Sequence, residues 1–147
     1  MGNMYTYSFE DLAGAIAHPL AGYYNFSGQQ GARNVSVAMA TEKTTHDVAA
    51  DGTVLVSKIP GDNGQITIEV QQTSDLHKWL LTAYNLIKNA DTDQWAAMGI
   101  TLRNTVDGTQ HIANGVSFQK VPDKSYQAQG QYVTWVLMAA DIQNLSL

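Results

Sequence analysis

The chain has 147 residues, no cysteine, 14% charged residues and a formal net charge of -5. That length suits one domain with a core of its own, the lack of cysteine excludes disulfide frameworks and Cys-based zinc sites, and the acidic balance disfavours a nucleic-acid reader that grips phosphates. An average soluble domain carries roughly 25% charged residues, so this surface is covered by something else: other copies, since interface cores are depleted in Lys, Glu and Asp, or a Thr- and Gln-rich β surface.

The opening MGNMYTYSFEDL lacks the basic start and apolar run of a signal peptide, and no apolar stretch approaches a membrane span, which predicts a soluble protein made in a cytoplasm with no membrane anchor. Residues 4–9, MYTYSF, put Tyr5, Tyr7 and Phe9 on one side and predict a first strand. Residues 10–21, rich in Ala and Gly and broken at Pro19, read as a short strand or an extended crossing. Over 22–31, Tyr23, Tyr24 and Phe26 stand between glycines, so a loop with exposed aromatics competes with a strand. Residues 33–41 alternate with Val35, Val37 and Met39 facing one way, a strand with one buried face.

The pattern then lapses into TEKTTHDVAA before the Asp51-Gly52 turn, and residues 53–59 pair back across it. This predicts a projecting hairpin or loop at about 40–53, an arm with little core. PGDNG at 60–64 is a strong turn, and 65–71 alternate Ile66, Ile68 and Val70 against Thr67 and Glu69. A single amphipathic helix follows at about 74–89: Leu76, Trp79, Leu80, Ala83, Tyr84 and Ile87 recur at helical spacing, Thr73 or Ser74 caps the start, Asp75 suits the positive end of the dipole, and Lys88 lies in the last turn. Residues 95–103 and 109–121 read as strands around an Asp107-Gly108 turn, with a bulge or bend at Asn114-Gly115. Residues 122–130 are a loop. The last strand, 131–142, is apolar on both faces, with Tyr132, Val136 and Met138 on one and Val133, Trp135 and Leu137 on the other; it must be central, or covered by another subunit. The sum is a mainly β fold with one helix: one domain over 1–147, an antiparallel β-sandwich or small barrel flanked by the helix.

No catalytic, cofactor or metal motif emerges. His18, His46, His77 and His111 lack metal-ligand spacing, and His77, beside Leu76, reads as a partly exposed surface residue. His46 and Asp47 are adjacent, so on a strand they point to opposite sides and cannot form a catalytic pair. Asp91-Thr-Asp93 opens like a calcium loop but lacks the later ligands and central glycine, and reads as a turn. The myristoylation-like start (Met1, Gly2, Thr6) and the sequons at Asn25, Asn34 and Asn144 are short patterns that match by chance. Sheet edges remain, in a chain with few of the Lys and Pro residues that blunt them.

The runs YSFEDLAGAIAHP, SKIPGDNGQITIEVQQTSDLHKWLLTAYN and YVTWVLMAADI resemble the tail tube proteins of contractile-tailed bacteriophages, in the group similar to the PhiTE tube protein. The resemblance implies a non-enzymatic virion protein of the tail, assembled in the bacterial host cytoplasm, that forms homo-hexameric rings stacked into a tube. It implies tail sheath protein outside, baseplate and tail terminator proteins at the ends, and tape measure protein and, transiently, double-stranded DNA inside. On that reading the arm, through Thr44, Thr45, His46, Asp47 and Val48, is the inter-ring contact, and Glu42, Asp47 and Glu69 are candidates to face a lumen that repels phosphate. Deleting residues 44–50 is then expected to leave a folded protein that no longer polymerises. A type VI secretion or pyocin-like tube is the near alternative. A monomeric ligand-binding β-barrel, its pocket lined by Tyr23, Tyr24, Phe26 and Trp135, is the distant one.

Overall fold

The computed structural model describes residues 8, 11–27, 32–123 and 129–146, so the strand expected over 4–9 lies, but for Ser8, outside the described residues. Nine strands are described: β1 (Leu12–His18), β2 (Gly22–Ser27), β3 (Ala32–Met39), β4 (Thr44–Val48), β5 (Val54–Lys58), β6 (Gly64–Gln71), β7 (Met98–Asn104), β8 (Thr109–Lys120) and β9 (Tyr132–Ser146). A helix α1 (Asp75–Lys88) and a short 3-10 turn (Thr92–Gln94) lie between β6 and β7. Seven strands form one antiparallel sheet in the order β2-β1-β7-β8-β9-β6-β3, and β4 and β5 form a separate hairpin.

Helix α1 begins where the sequence marks it. Ser74 Oγ accepts the His77 N–H at 3.2 Å and its own hydroxyl donates to the Gln71 carbonyl at 2.8 Å, joining helix start to strand end. At the other end Asn89 Nδ2 donates to the Asn85 carbonyl at 2.9 Å. Leu76, His77, Leu80, Ala83 and Ile87 are buried, and Trp79 and Tyr84 pack at the margin of the core.

The sheet must roll, and its register says why. Ser27 shares a row with Ala13, Arg103, Gln110 and Leu145, whereas Ala32 shares one with Val70 and Val133. Ser27 and Ala32 thus lie on opposite edges and twelve residues apart along β9, yet only four residues separate them in the chain. A span of five residues reaches at most about 17 Å, and a flat seven-stranded sheet is about 29 Å across. The edges therefore curl toward each other with strongly tilted strands, a half-barrel, and α1 lies in its concave side, against β2 and β6.

Residues 22–31, undecided from sequence, contain a real strand, and of the two readings for 10–21 the strand is realised. Gly14 allows the pairing of β1 and β2 over the core: a Cβ there would lie 2.3 Å from the Phe26 ring, which is buried on that face. Strand β9 lies between β8 and β6, as its two apolar faces require. Its inner face, Val133, Trp135, Leu137 and Ala139, is buried. Near Asn114-Gly115 the buried positions step from Ala113 to Val116 on β8 and from Ala139 to Ile142 on β9, so both strands change phase together. β7 stays continuous opposite, so its register with β8 shifts between Met98 and Ile100, the extra residue falling on β8, where Gly115 has φ +64°. The strand expected from residue 95 begins instead at Met98, because the 3-10 turn and the residues after it occupy the approach.

His77 corrects an expectation. It is buried at 4% exposure, and its Nδ1 accepts the indole N–H of Trp135 at 3.0 Å. A concave sheet covers a wider arc of helix than a flat one, so the residue flanking the apolar stripe is enclosed too. Trp135 also meets Phe118 edge to face at 5.5 Å, and Phe118 meets Tyr84 at 5.6 Å. These rings fill the interior, so Tyr23, Tyr24, Phe26 and Trp135 line no common pocket: Trp135 and Phe26 are core, Tyr24 meets Trp79 at a tilt, and Tyr23 is exposed.

Gly64 starts β6 where nothing larger fits. A Cβ there would lie 2.4 Å from the Ala38 carbonyl oxygen and 2.8 Å from Ile142 Cδ1. Because the first of these is backbone, Gly64→Ala is expected to cost about 1–3 kcal/mol, the usual range for overpacking. A lower denaturation midpoint with unchanged slope is the result expected in urea.

Candidate assembly surfaces

Three surfaces stand out. The first is the arm. β4 and β5 pair in register from Thr44↔Lys58 to Val48↔Val54, and every residue of both strands is exposed. The arm is thus longer than the 40–53 of the sequence reading, because the returning strand belongs to it. It continues the β3–β6 ladder after a break. The Ala40 N–H donates to the Asn63 carbonyl at 3.0 Å and the Ile59 N–H to that of Lys43 at 2.9 Å. Lys43 Nζ contacts Asp62 Oδ1 at 2.6 Å, Thr41 Oγ1 donates to Asn63 Oδ1 at 2.6 Å, and the Ile142 N–H donates to the Asp62 carbonyl at 2.7 Å, so the root is fixed to the sheet. At the tip Asp51 accepts the Thr53 N–H at 2.9 Å, which holds its carboxyl below the usual carboxylate range.

An arm this exposed carries an unusual load of apolar side chains. Val48, Val54, Leu55 and Val56 are 64%, 46%, 64% and 60% exposed. Cross-strand pairing puts Val48, Val54, His46 and Val56 on one face, with Thr44 and Lys58 beyond them, and Thr45, Asp47, Leu55 and Ser57 on the other. Of the five residues proposed for contact, Thr44, His46 and Val48 therefore share one face and Thr45 and Asp47 share the opposite one.

The second surface is the face of the sheet turned away from α1. On β6 it holds Gln65, Thr67 and Glu69, alternating with buried Ile66, Ile68 and Val70. Their cross-strand partners on β9 are Met138, Val136 and Thr134, so the face is mostly neutral. Glu69 forms an ion pair with Arg33, whose guanidinium also lies 4.3 Å from the Tyr132 ring centroid. Of the three carboxylates considered for a lumen, only Glu69 is on this face; Glu42 is at the arm root and Asp47 on the arm.

The third surface is the pair of strands that end the sheet among the described residues, β2 and β3. Neither strand contains Pro, and neither contains Lys.

His18 and His111 are structural in their contacts. The Leu20 N–H donates to His18 Nδ1 at 3.0 Å, so Nε2 carries the hydrogen and donates to the Gln94 carbonyl at 2.8 Å, tying β1 to the 3-10 turn. His111 contacts Asn144 Oδ1 at 2.6 Å. Among the described residues no group of three His, Cys, Asp or Glu side chains could hold a metal ion, and no helix is long and apolar enough to cross a membrane.

The described residues thus form a rolled antiparallel sheet closed by one helix, with an apolar arm outside its core. The chain belongs to the bacteriophage PhiTE tail tube protein family, whose model matches residues 4–146. It is a structural component of a phage tail. No curated protein matches it significantly. Its fold is similar to the tube-terminating cap of the anti-feeding prophage, at 8% identity and TM-score 0.63, covering 100% of this chain and 95% of that chain. It is also similar to the PVC sheath/tube terminator of an extracellular contractile injection system in its extended state, at 11% identity and TM-score 0.62, covering 98% and 99%. The PVC sheath-tube complex in the extended state contains a third similar chain, at 11% identity and TM-score 0.59, covering 97% and 93%.

Proposed function

We propose that the protein is the non-enzymatic subunit of the inner tail tube, forming hexameric rings that stack around a channel through which the genome passes. The observation that carries this is the arm: four large apolar side chains stand in water on an element that contributes nothing to the core, within a chain of the tail tube family. Stable monomers avoid such an element. Thr44, Thr45, His46, Asp47 and Val48 supply inter-ring contacts on this reading.

The assembly is built in the host cytoplasm, with sheath protein outside, baseplate and terminator proteins at the ends, and tape measure protein and then DNA inside. A channel wall must let phosphates slide. The net charge of -5 supports this, and Glu69, offset by Arg33 on a largely neutral face, is better placed for a lumen than Glu42 or Asp47.

Negative-stain electron microscopy of the purified protein at several concentrations, with its solution mass, tests the reading. Rings and hollow filaments that lengthen with concentration are expected. A monomer that stays single at high concentration would overturn it. A second reading, a protein that ends a tube, is favoured by the folds of the anti-feeding prophage cap and the PVC terminator; it predicts single rings that bind tube ends and never elongate.

A further inference from the structure

The bulge in β8 carries a reactive pair. The chain has Asn-Gly at 63–64 and again at 114–115. In such a pair the glycine backbone nitrogen can attack the asparagine side-chain carbonyl carbon, because no Cβ on the following residue shields it, provided the fold lets the two atoms meet. Asn63 is held. Its Oδ1 accepts the Thr41 hydroxyl at 2.6 Å and its carbonyl accepts the Ala40 N–H at 3.0 Å, while Gly64 is buried and paired with Met39 on one side and Ala139 on the other. Asn114 is not held. It is exposed, its side chain has no hydrogen-bond partner among the described residues, and its Oδ1 lies beside Gly99, where there is no side chain to obstruct it. Gly115 is paired in neither the β7–β8 nor the β8–β9 ladder. Nor can the fold replace this glycine, since its φ is +64° and a Cβ would lie 2.8 Å from that of Ala140.

We propose that Asn114 is a site of spontaneous deamidation, and that its product loosens the pairing of β8 with β9. The Gly115 nitrogen loses its proton to water or hydroxide and bonds to Asn114 Cγ, the bond from Cγ to the side-chain nitrogen breaks, and that nitrogen takes up a proton and leaves as ammonia. Water then opens the cyclic imide, at one carbonyl to give aspartate and at the other to give isoaspartate, so the net change is hydrolysis of an amide. Either product puts a carboxylate directly across from Asp141, whose own carboxylate accepts from Gln143 Nε2 at 3.0 and 3.2 Å. Like charges directly opposite one another weaken a strand pair, and isoaspartate also adds a methylene carbon to the backbone at the bulge.

Ageing the purified protein in mildly alkaline buffer, with isoaspartate labelled by a protein isoaspartyl methyltransferase and mapped by peptide mass spectrometry, tests the site. In folded protein Asn114 is expected to convert on the order of tenfold faster than Asn63, which must wait for local opening, and the two are expected to convert at similar rates in the chain held unfolded in urea. Asn114→Gln should leave that peptide unlabelled. Equal rates at the two sites in folded protein, or a labelled Asn114→Gln peptide, would overturn the assignment. Asn114→Asp is expected to unfold at a lower urea concentration than wild type, and Asp141→Asn in the same chain to bring the midpoint back. An unchanged midpoint in Asn114→Asp would overturn the effect on β8 and β9.

Discussion

Excising residues 44–58 and joining Lys43 to Ile59 through Asn-Gly is expected to leave a folded protein that forms no filaments at any concentration at which the wild type does. The junction is feasible because the Ile59 N–H already donates to the Lys43 carbonyl at 2.9 Å, so a two-residue turn closes an existing ladder. Stability should change by no more than about 1 kcal/mol, since exposed positions away from caps and cores seldom exceed ±0.5 kcal/mol each, and every residue of β4 and β5 is exposed. The deletion of 44–50 suggested by sequence is the poorer experiment. It would remove the partner of β5 and leave Val54, Leu55 and Val56 on an unpaired edge, where aggregation would hide the result. Thermal denaturation and sedimentation together give the answer: unchanged unfolding with lost assembly supports the arm as an inter-ring contact, and filaments of normal length exclude it.

Trp135→Ala is expected to have the largest effect on folding, about 3–5 kcal/mol. That is a large share of the about 5–15 kcal/mol by which domains are usually stable. The side chain is fully buried, packs edge to face on Phe118, and donates to His77 on the helix. Trp135→Phe separates the two roles. It keeps an aromatic ring in the core but removes the donor to His77 Nδ1, an omission worth about 1–3 kcal/mol when the acceptor is buried. Urea unfolding of the three proteins should rank wild type above Trp135→Phe above Trp135→Ala. If Trp135→Ala unfolded at the wild-type midpoint, the docking of α1 would not depend on this contact.

The elements legible in the sequence are those set by neighbours along the chain. The helix carries its own stripe and cap, β6 its own alternation, and Asp51-Gly52 its own turn. The arm was legible for a related reason: a stretch whose apolar pattern lapses has no core to join. Its full length was not, because residues 54–58 alternate poorly, and only their pairing with Thr44–Val48 shows that both strands stand outside the sheet.

What the sequence by itself determined was the period of each segment, the place of its turns and the kinship with tail tube proteins, all of which depend on residues a few positions apart or on segment order. Tertiary structure alone decided the burial of His77, whose donor Trp135 is 58 residues away, and the strand at Gly22–Ser27, where the absence of a side chain at Gly14 makes room for Phe26. It also decided the roll of the sheet. Four intervening residues hold edges twelve rows apart within reach of each other, and curvature is the only way a sheet can satisfy that restraint.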